Sequence, residues 1–314
     1  MQAFYADHFV LPLPDGNRFP MQKYAMLRER LREQWPDIQL KQALSASDDE
    51  LVLVHAPDYI DAVTHGKLSS AQQREIGFPW SLEMAERARR SVGATVQAAR
   101  VAFGGGGVAA NLAGGTHHSY PDRGSGFCVF NDVAVAARCM QVEFSRNHSQ
   151  TNRALQIAIV DLDVHQGDGT AHIFQNDASV FTLSLHGAKN FPVRKQKSNC
   201  DIELPDGCND ADYLEALENG LDQIDQRFEP DLVFYLAGAD VHEGDRLGRL
   251  ALTDAGMQAR DRRVFQWAWQ RRTPLAMTMA GGYGREIEST IRVQVNTYHI
   301  ALEYWQRWQT TTDR

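Results

Sequence analysis

Apolar positions along the chain follow two different periods. Runs of strand length at Leu51–Val54, Val108–Leu112, Leu155–Val160, Val180–Leu185, Asp231–Leu236 and Leu275–Met279 are almost continuously apolar, the pattern of strands buried on both faces. Between them the period lengthens. Leu214, Leu217, Leu221, Ile224 and Phe228 recur every three or four residues and predict an amphipathic helix with Asp210 as its cap. The same reading places helices at Tyr24–Trp35, Ser81–Ala102, Val133–Phe144, Asp254–Arg272 and Arg285–Trp308. Strands alternating with helices predict an α/β fold, one mainly parallel sheet with helices on both faces. Gly104–Gly107 reads as a helix stop and turn, and Asn147–Asn152 as a short polar loop. Nothing divides the chain, so a single domain is expected over residues 1–314.

Composition narrows the class. With 43% apolar and 23% charged residues the chain can bury a substantial core, which excludes global disorder. A net charge of −8, from 32 basic and 40 acidic residues, argues against nucleic acid and anionic lipid as partners. The arginine clusters at 87–90 and 260–263 lie within amphipathic patterns and read as solvated helix faces. Cys128, Cys139, Cys200 and Cys208 form no CxxC pair, so neither a zinc ribbon nor a disulfide framework is expected. The longest uncharged stretch, Val101–Tyr120, carries six glycines and two histidines and would not sit in a membrane. The N-terminal residues, with Asp7 and no basic start, do not read as a secretory signal. A cytoplasmic protein is the expectation.

In parallel sheets ligands gather where the strands end, and here the strand ends are rich in chemistry. After Val108–Leu112 come Gly114-Gly115-Thr116-His117-His118; after Leu155–Val160 come Asp161, Asp163, His165 and Asp168; after the last two runs come Asp240 and Tyr283. Asp161, Asp163 and His165 are two apart and leave an extended backbone on one face. With Asp240 from a neighbouring strand, Asp163 and His165 make a three-ligand site with an open position, as in catalytic zinc centres, and iron(II) suits the same donors. Two-metal hydrolases place a further carboxylate two residues beyond the histidine, where this chain has Gly167, so one metal is expected. Asp161 and Asp168 are then free to orient His117 and His118 as two dyads. Tyr283 reads either as a core-edge aromatic or as a phenol donor to a developing oxyanion. Gly124-Ser125-Gly126-Phe127-Cys128 reads as a loop or as a close-approach segment with Phe127 as an apolar wall.

The blocks GGTHHSYPDRGSGFCVFND, VDLDVHQGDGTAHIF, VFTLSLH, YLAGADVHEGDRLG and AGGYG resemble the zinc-dependent histone deacetylase superfamily in order and spacing, and are most similar to class IV deacetylases and their bacterial relatives. The resemblance implies the arginase/deacetylase fold. It also implies zinc on Asp163, His165 and Asp240, with His117 paired to Asp161 as electrostatic partner. His118 paired to Asp168 becomes the general base and acid, and Tyr283 the carbonyl-polarising phenol. A structural potassium ion is implied on oxygens of Asp161, Asp163, His165, Ser184 and Leu185. Phe127, next to Gly126, and Phe191 match the aromatics that flank an acyl-lysine stem.

Three departures bear on the substrate. Relatives acting on polyamines carry an acid where Leu247 stands; relatives acting on peptides carry a rim aspartate absent from Ile76-Gly77-Phe78-Pro79-Trp80; and many relatives have Asn at Asp168, where Asp should favour a protonated His118. The expected activity is metal-dependent hydrolysis of an N-acyl-lysine or related acylated amine. The alternatives are a small-molecule acylamide or acetylpolyamine amidohydrolase and a catalytically silent acyl-lysine binding module.

Overall fold

The computed structural model describes residues 1–7, 11, 13, 19–148 and 153–312. Five of the predicted strands form: β3 (Val108–Asn111), β4 (Ile157–Asp161), β5 (Val180–Gly187), β7 (Leu232–Leu236) and β8 (Leu275–Thr278). They are joined by β1 (Gln2–Tyr5), β2 (Gln39–Gln42) and β6 (Cys200–Leu204), which the apolar pattern missed. All pairings are parallel, in the order β2-β1-β3-β8-β7-β4-β5-β6. The edge strands were illegible because their sequences, QLKQ and CDIEL, bury only part of each strand and lack a continuous apolar run.

Alternation along the central strands builds two cores. Ile157 and Ile159 of β4 face one, under α5 (Leu82–Val101) and α6 (Asp132–Asn147), while Ala158 and Val160 face the other, under α8 (Asp210–Arg227), α9 (Asp254–Gln270) and α10 (Ile287–Thr312). Both faces being covered explains the continuous apolar runs. Asp161 at the end of β4 lies opposite Ser184 of β5 and Leu236 of β7, and Leu236 lies opposite Thr278 of β8. The loops that follow these strands therefore emerge side by side.

Several expectations are corrected. Leu51–Val54 is no strand: Ser47 and Glu50 form a reciprocal capping box that starts the short helix α2 (Asp48–Leu51), and Val52 and Leu53 are exposed. Asp210 does not cap α8. Asn209 does, accepting from the Asp212 N–H, while the Asp210 carboxylate accepts from the Thr253 amide and hydroxyl and ties α8 to the start of α9. The arginine clusters are only partly solvated, since Arg260 is 0% exposed and Arg87 lies against the rings of Phe19 and Tyr24. Of the predicted loop Asn147–Asn152, Asn147 ends α6, and 149–152 lie outside the described residues. Among the described residues no helix is long and apolar enough to cross a membrane.

Candidate active site

The loops after β3, β4, β7 and β8 converge on one cavity of about 390 Å³. Asp163 and His165 line it, and with the fully buried Asp240 they form a cluster whose ligand-capable atoms all lie within 4.8 Å of one another. Backbone donors aim the carboxylates. Asp163 Oδ1 accepts from the His165 N–H at 2.9 Å and Oδ2 from the Gly281 N–H at 2.6 Å, while Asp240 Oδ1 accepts from the Val164 N–H at 2.9 Å. Asp240 Oδ2 is buried and accepts no hydrogen bond, yet lies 3.3 Å from His165 Nδ1. A Cβ on Gly281 would fall 1.9 Å from that oxygen, so glycine is what lets the loop pass over the cluster.

Charge explains why the cluster suits a cation. Burial, and then the neighbouring Asp163, push Asp240 up to about 7. Burial opposes charge on His165, but Asp163 and Asp240 prevail and hold it near 10. The protein alone thus balances two crowded carboxylates with imidazole protons, which a divalent metal would displace on binding. An orphaned carboxylate oxygen, an Asp/Asp/His donor set and a glycine cradle all fit zinc or iron(II).

Both dyads form as expected. His117 Nδ1 donates to Asp161 Oδ2 and His118 Nδ1 to Asp168 Oδ1, each at 2.6 Å, and both imidazoles are buried. Their electrostatics differ. Burial opposes the charge of His117, but Asp161 and Asp163 outweigh it and raise its pKa to about 9. For His118, burial and the repulsion of His117 prevail over Asp168 and lower it to about 4. Asp168 therefore favours the imidazolium, as expected, without achieving it. The Tyr283 phenol lines the same cavity, and burial raises its pKa well above the ordinary value.

Three positioning residues escaped the sequence reading. Asp245 accepts from the amides of Leu247, Gly248 and Tyr283, fixing the turn that carries the phenol. Asp132 accepts from the amides of Gly115 and Thr116, shaping the turn before the histidines. Tyr120 donates to the second oxygen of Asp168 at 3.0 Å. An aspartate inside HEGDRLG or FND was the available signal, but the amides of Tyr283, Gly115 and Thr116 that these aspartates fix are distant in sequence.

Gly126, Phe127, Phe191 and Leu247 line the cavity together. Gly126 has φ +53°, and a Cβ there would stand 2.7 Å from the His118 ring. Phe191 meets His118 edge-on with centroids 4.9 Å apart, and Phe127 packs near Phe19, Phe78 and Tyr283. Ser184 sits opposite Asp161 in register beside Leu185, on the far side of β4, with its hydroxyl 2.9 Å from His186 Nδ1.

Residues 17–298 match the Histone deacetylase domain. An uncharacterized protein of Picosynechococcus sp. is 44% identical over 91% of this chain and 93% of its own length. Histone deacetylase 2 of Arabidopsis thaliana is 32% identical over 80% of this chain, and the acetoin utilization protein AcuC of Bacillus subtilis is 35% identical over 66%. The chain spans 64% and 57% of those two relatives. The HD domain of HDA15 and an HDAC homolog complexed with SAHA each superpose with a TM-score of 0.79 at 23% identity over 96% of this chain, covering 91% and 84% of theirs, which establishes the shared fold. From the domain match along most of its length, the chain belongs to the histone deacetylase family of hydrolases.

Proposed function

We propose that this protein is a zinc-dependent deacylase that hydrolyses the amide of an N-acyl-lysine side chain. The observation that carries the reading is the cluster of Asp163, His165 and Asp240 facing two histidine–aspartate dyads and a phenol within one cavity. Bound at that cluster, zinc supplies Lewis-acid activation of water and of the acyl carbonyl. His118, held neutral and with Nδ1 committed to Asp168, offers Nε2 as the proton acceptor and then returns the proton to the leaving amine. His117, held charged, supports negative charge developing beside it. Tyr283, held protonated, donates to the acyl oxygen. Potassium is proposed on oxygens of Asp161, Asp163, His165, Ser184 and Leu185, and a cytoplasmic location, which suits the free cysteines, is part of the same reading.

Phe127 and Phe191 flank the alkyl stem of the substrate. At the mouth, Leu247 stands with Lys189 and Arg249, and among the described residues lining the cavity the only carboxylate is that of Asp163, deep in the cluster. A second ammonium group would find no acid there, which favours lysine amides over acetylpolyamines. The test is a kcat/KM panel of acyl-lysine peptides and acetylpolyamines on protein of measured metal content. The expected result is about one zinc per chain, faster cleavage of lysine amides, and loss of metal in Asp240→Ala. Zinc-loaded protein that cleaves no amide, or that prefers acetylpolyamines, overturns the corresponding part.

A further inference from the structure

The cavity continues behind the reaction centre. Beyond Gly115 and Ala280 its wall is formed by Ser91, Ala88 and Arg87 of α5 together with Tyr24 and Phe19. The Arg87 guanidinium lies 4.8 Å from the Tyr24 ring and 5.6 Å from the Phe19 ring. Arg89 and Arg90, on the same helix, bond to Thr64, Asp48, Glu86 and the carbonyls of Ala43 and Ala46. Among the described residues Arg87 has no such acceptor. A second cation stands beside the same rings: Lys23, 1% exposed, places Nζ 5.6 Å from the Phe19 ring and 5.1 Å from those of Tyr24 and Tyr283, and among the described residues donates to the Gly282 carbonyl.

Among the described residues lining this wall none bears a carboxylate, and Asp7, which lines an adjoining pocket with Arg87, pairs with Arg28; an anion supplied by a ligand would give the Arg87 guanidinium an acceptor. The Phe19 ring touches both sides of this wall, with its centroid 6.3 Å from that of Tyr283 and 5.6 Å from the Arg87 guanidinium. An acyl group whose carbonyl meets Tyr283 would extend its far end towards Arg87. The mouth offers no equivalent, because Lys189 and Arg249 both pair with Asp206.

We propose that the inner chamber selects acyl groups ending in a second carboxylate, of the succinyl and glutaryl class, with Arg87 as their partner. The proposal rests on the deacylase reading above and names its substrate class. The planar guanidinium, braced by two rings, is set to meet a carboxylate with two N–H groups. A neutral acyl group of the same length would bury Arg87 without an acceptor, so discrimination comes from both the pairing and its absence. The reaction is ordinary hydrolysis: the amide C–N bond breaks, one water supplies oxygen to the acyl carbon and a proton to the amine, and a dicarboxylate leaves.

Zinc-loaded wild type, Arg87→Met and Arg87→Lys are assayed on succinyl- and glutaryl-lysine peptides against neutral acyl-lysine peptides of matched length. Each protein is also titrated calorimetrically with free glutarate and free valerate. Wild type should favour the carboxylate-bearing acyl groups at least tenfold in kcat/KM; Arg87→Met should cut that ratio at least tenfold, and Arg87→Lys should restore part of it. A wild-type preference for neutral acyl groups, or a ratio unmoved by Arg87→Met, overturns the proposal. If no peptide is cleaved, the deacylase reading falls and the titrations decide the chamber alone. Glutarate binding more tightly than valerate in wild type but not in Arg87→Met supports it; equal binding of the two acids in wild type refutes it.

Discussion

Tyr283 is the residue whose chemical and structural roles can be separated most cleanly. Its phenol is buried and held protonated, so it is ready to donate, while its backbone is fixed independently by the Asp245 carboxylate at 2.6 Å. Removing the hydroxyl alone should leave the turn and the Asp163–His165–Asp240 cluster in place. Tyr283→Phe is therefore expected to keep wild-type metal content and unfolding midpoint while losing on the order of 10²–10³ in kcat, the usual size for one oxyanion donor. A variant within twofold of wild type would make the phenol a packing group. At this scale the sequence was legible where chemistry is local. Asp163 and His165 follow from two-residue spacing at a strand end, whereas the contacts of Asp132 with Thr116, Tyr120 with Asp168 and Asp245 with Tyr283 join groups 15 or more residues apart and needed the fold to reveal them. Arg87 was misread for the same reason, since an arginine cluster on an amphipathic helix looks solvated until Phe19 and Tyr24 arrive from α1 (Lys23–Gln34) and the residues before it.

At the scale of elements, the loops that carry Asp163 and Asp240 are held from behind by α9. Arg260 donates to the Gly238 carbonyl at 2.5 Å and reaches the Leu162 carbonyl, so one side chain ties the ends of β7 and β4 together. Asp261 balances it and also accepts from Tyr235 and Thr297. Truncating Arg260 would leave a buried carboxylate without its cation. Arg260→Leu should lower unfolding free energy by about 3–5 kcal/mol, whereas Arg262→Leu, which breaks a half-exposed pair with Glu303, should change it by less than about 1 kcal/mol. Equal urea midpoints for the two variants would contradict the bracing role. Helix periodicity located α9 but not which arginine it buries, because both fit a helical pattern and only the β4 and β7 carbonyls distinguish them. Central strands were legible because both faces are covered. The false strand at Leu51–Val54 shows the opposite case, in which a local capping box outweighs a short apolar run.

Across the whole molecule, the group that most clearly links fold to pH away from the Asp163–His165–Asp240 cluster is His55. It is 1% exposed, its Nδ1 donates to the Tyr120 carbonyl at 3.1 Å, and its Nε2 accepts from the Asn131 N–H at 3.0 Å. Asn131 in turn caps α6 and donates to the Ser119 carbonyl and the Thr170 hydroxyl, so His55 joins the segment after α2, the loop following His117 and His118 and the start of α6. Both nitrogens are satisfied only by the neutral ring; a proton on Nε2 would face an N–H donor. Burial lowers the pKa of His55 from 6.5 to about 4. Above pH 6.5 the folded and unfolded chains both carry it neutral, and it adds no pH dependence. Below that, the unfolded chain takes a proton that the fold refuses until about pH 4, so stability should fall by about 1.4 kcal/mol per pH unit, or about 3 kcal/mol over the window. His118 and His186, also lowered to about 4, add to the same trend. Comparison with His55→Gln at equal metal content therefore isolates the single ring. The variant should be less stable at pH 7 but lose stability about one proton less steeply between pH 6.5 and 4.5 in urea unfolding. Parallel slopes in the two proteins would mean that His55 is not held neutral by the fold.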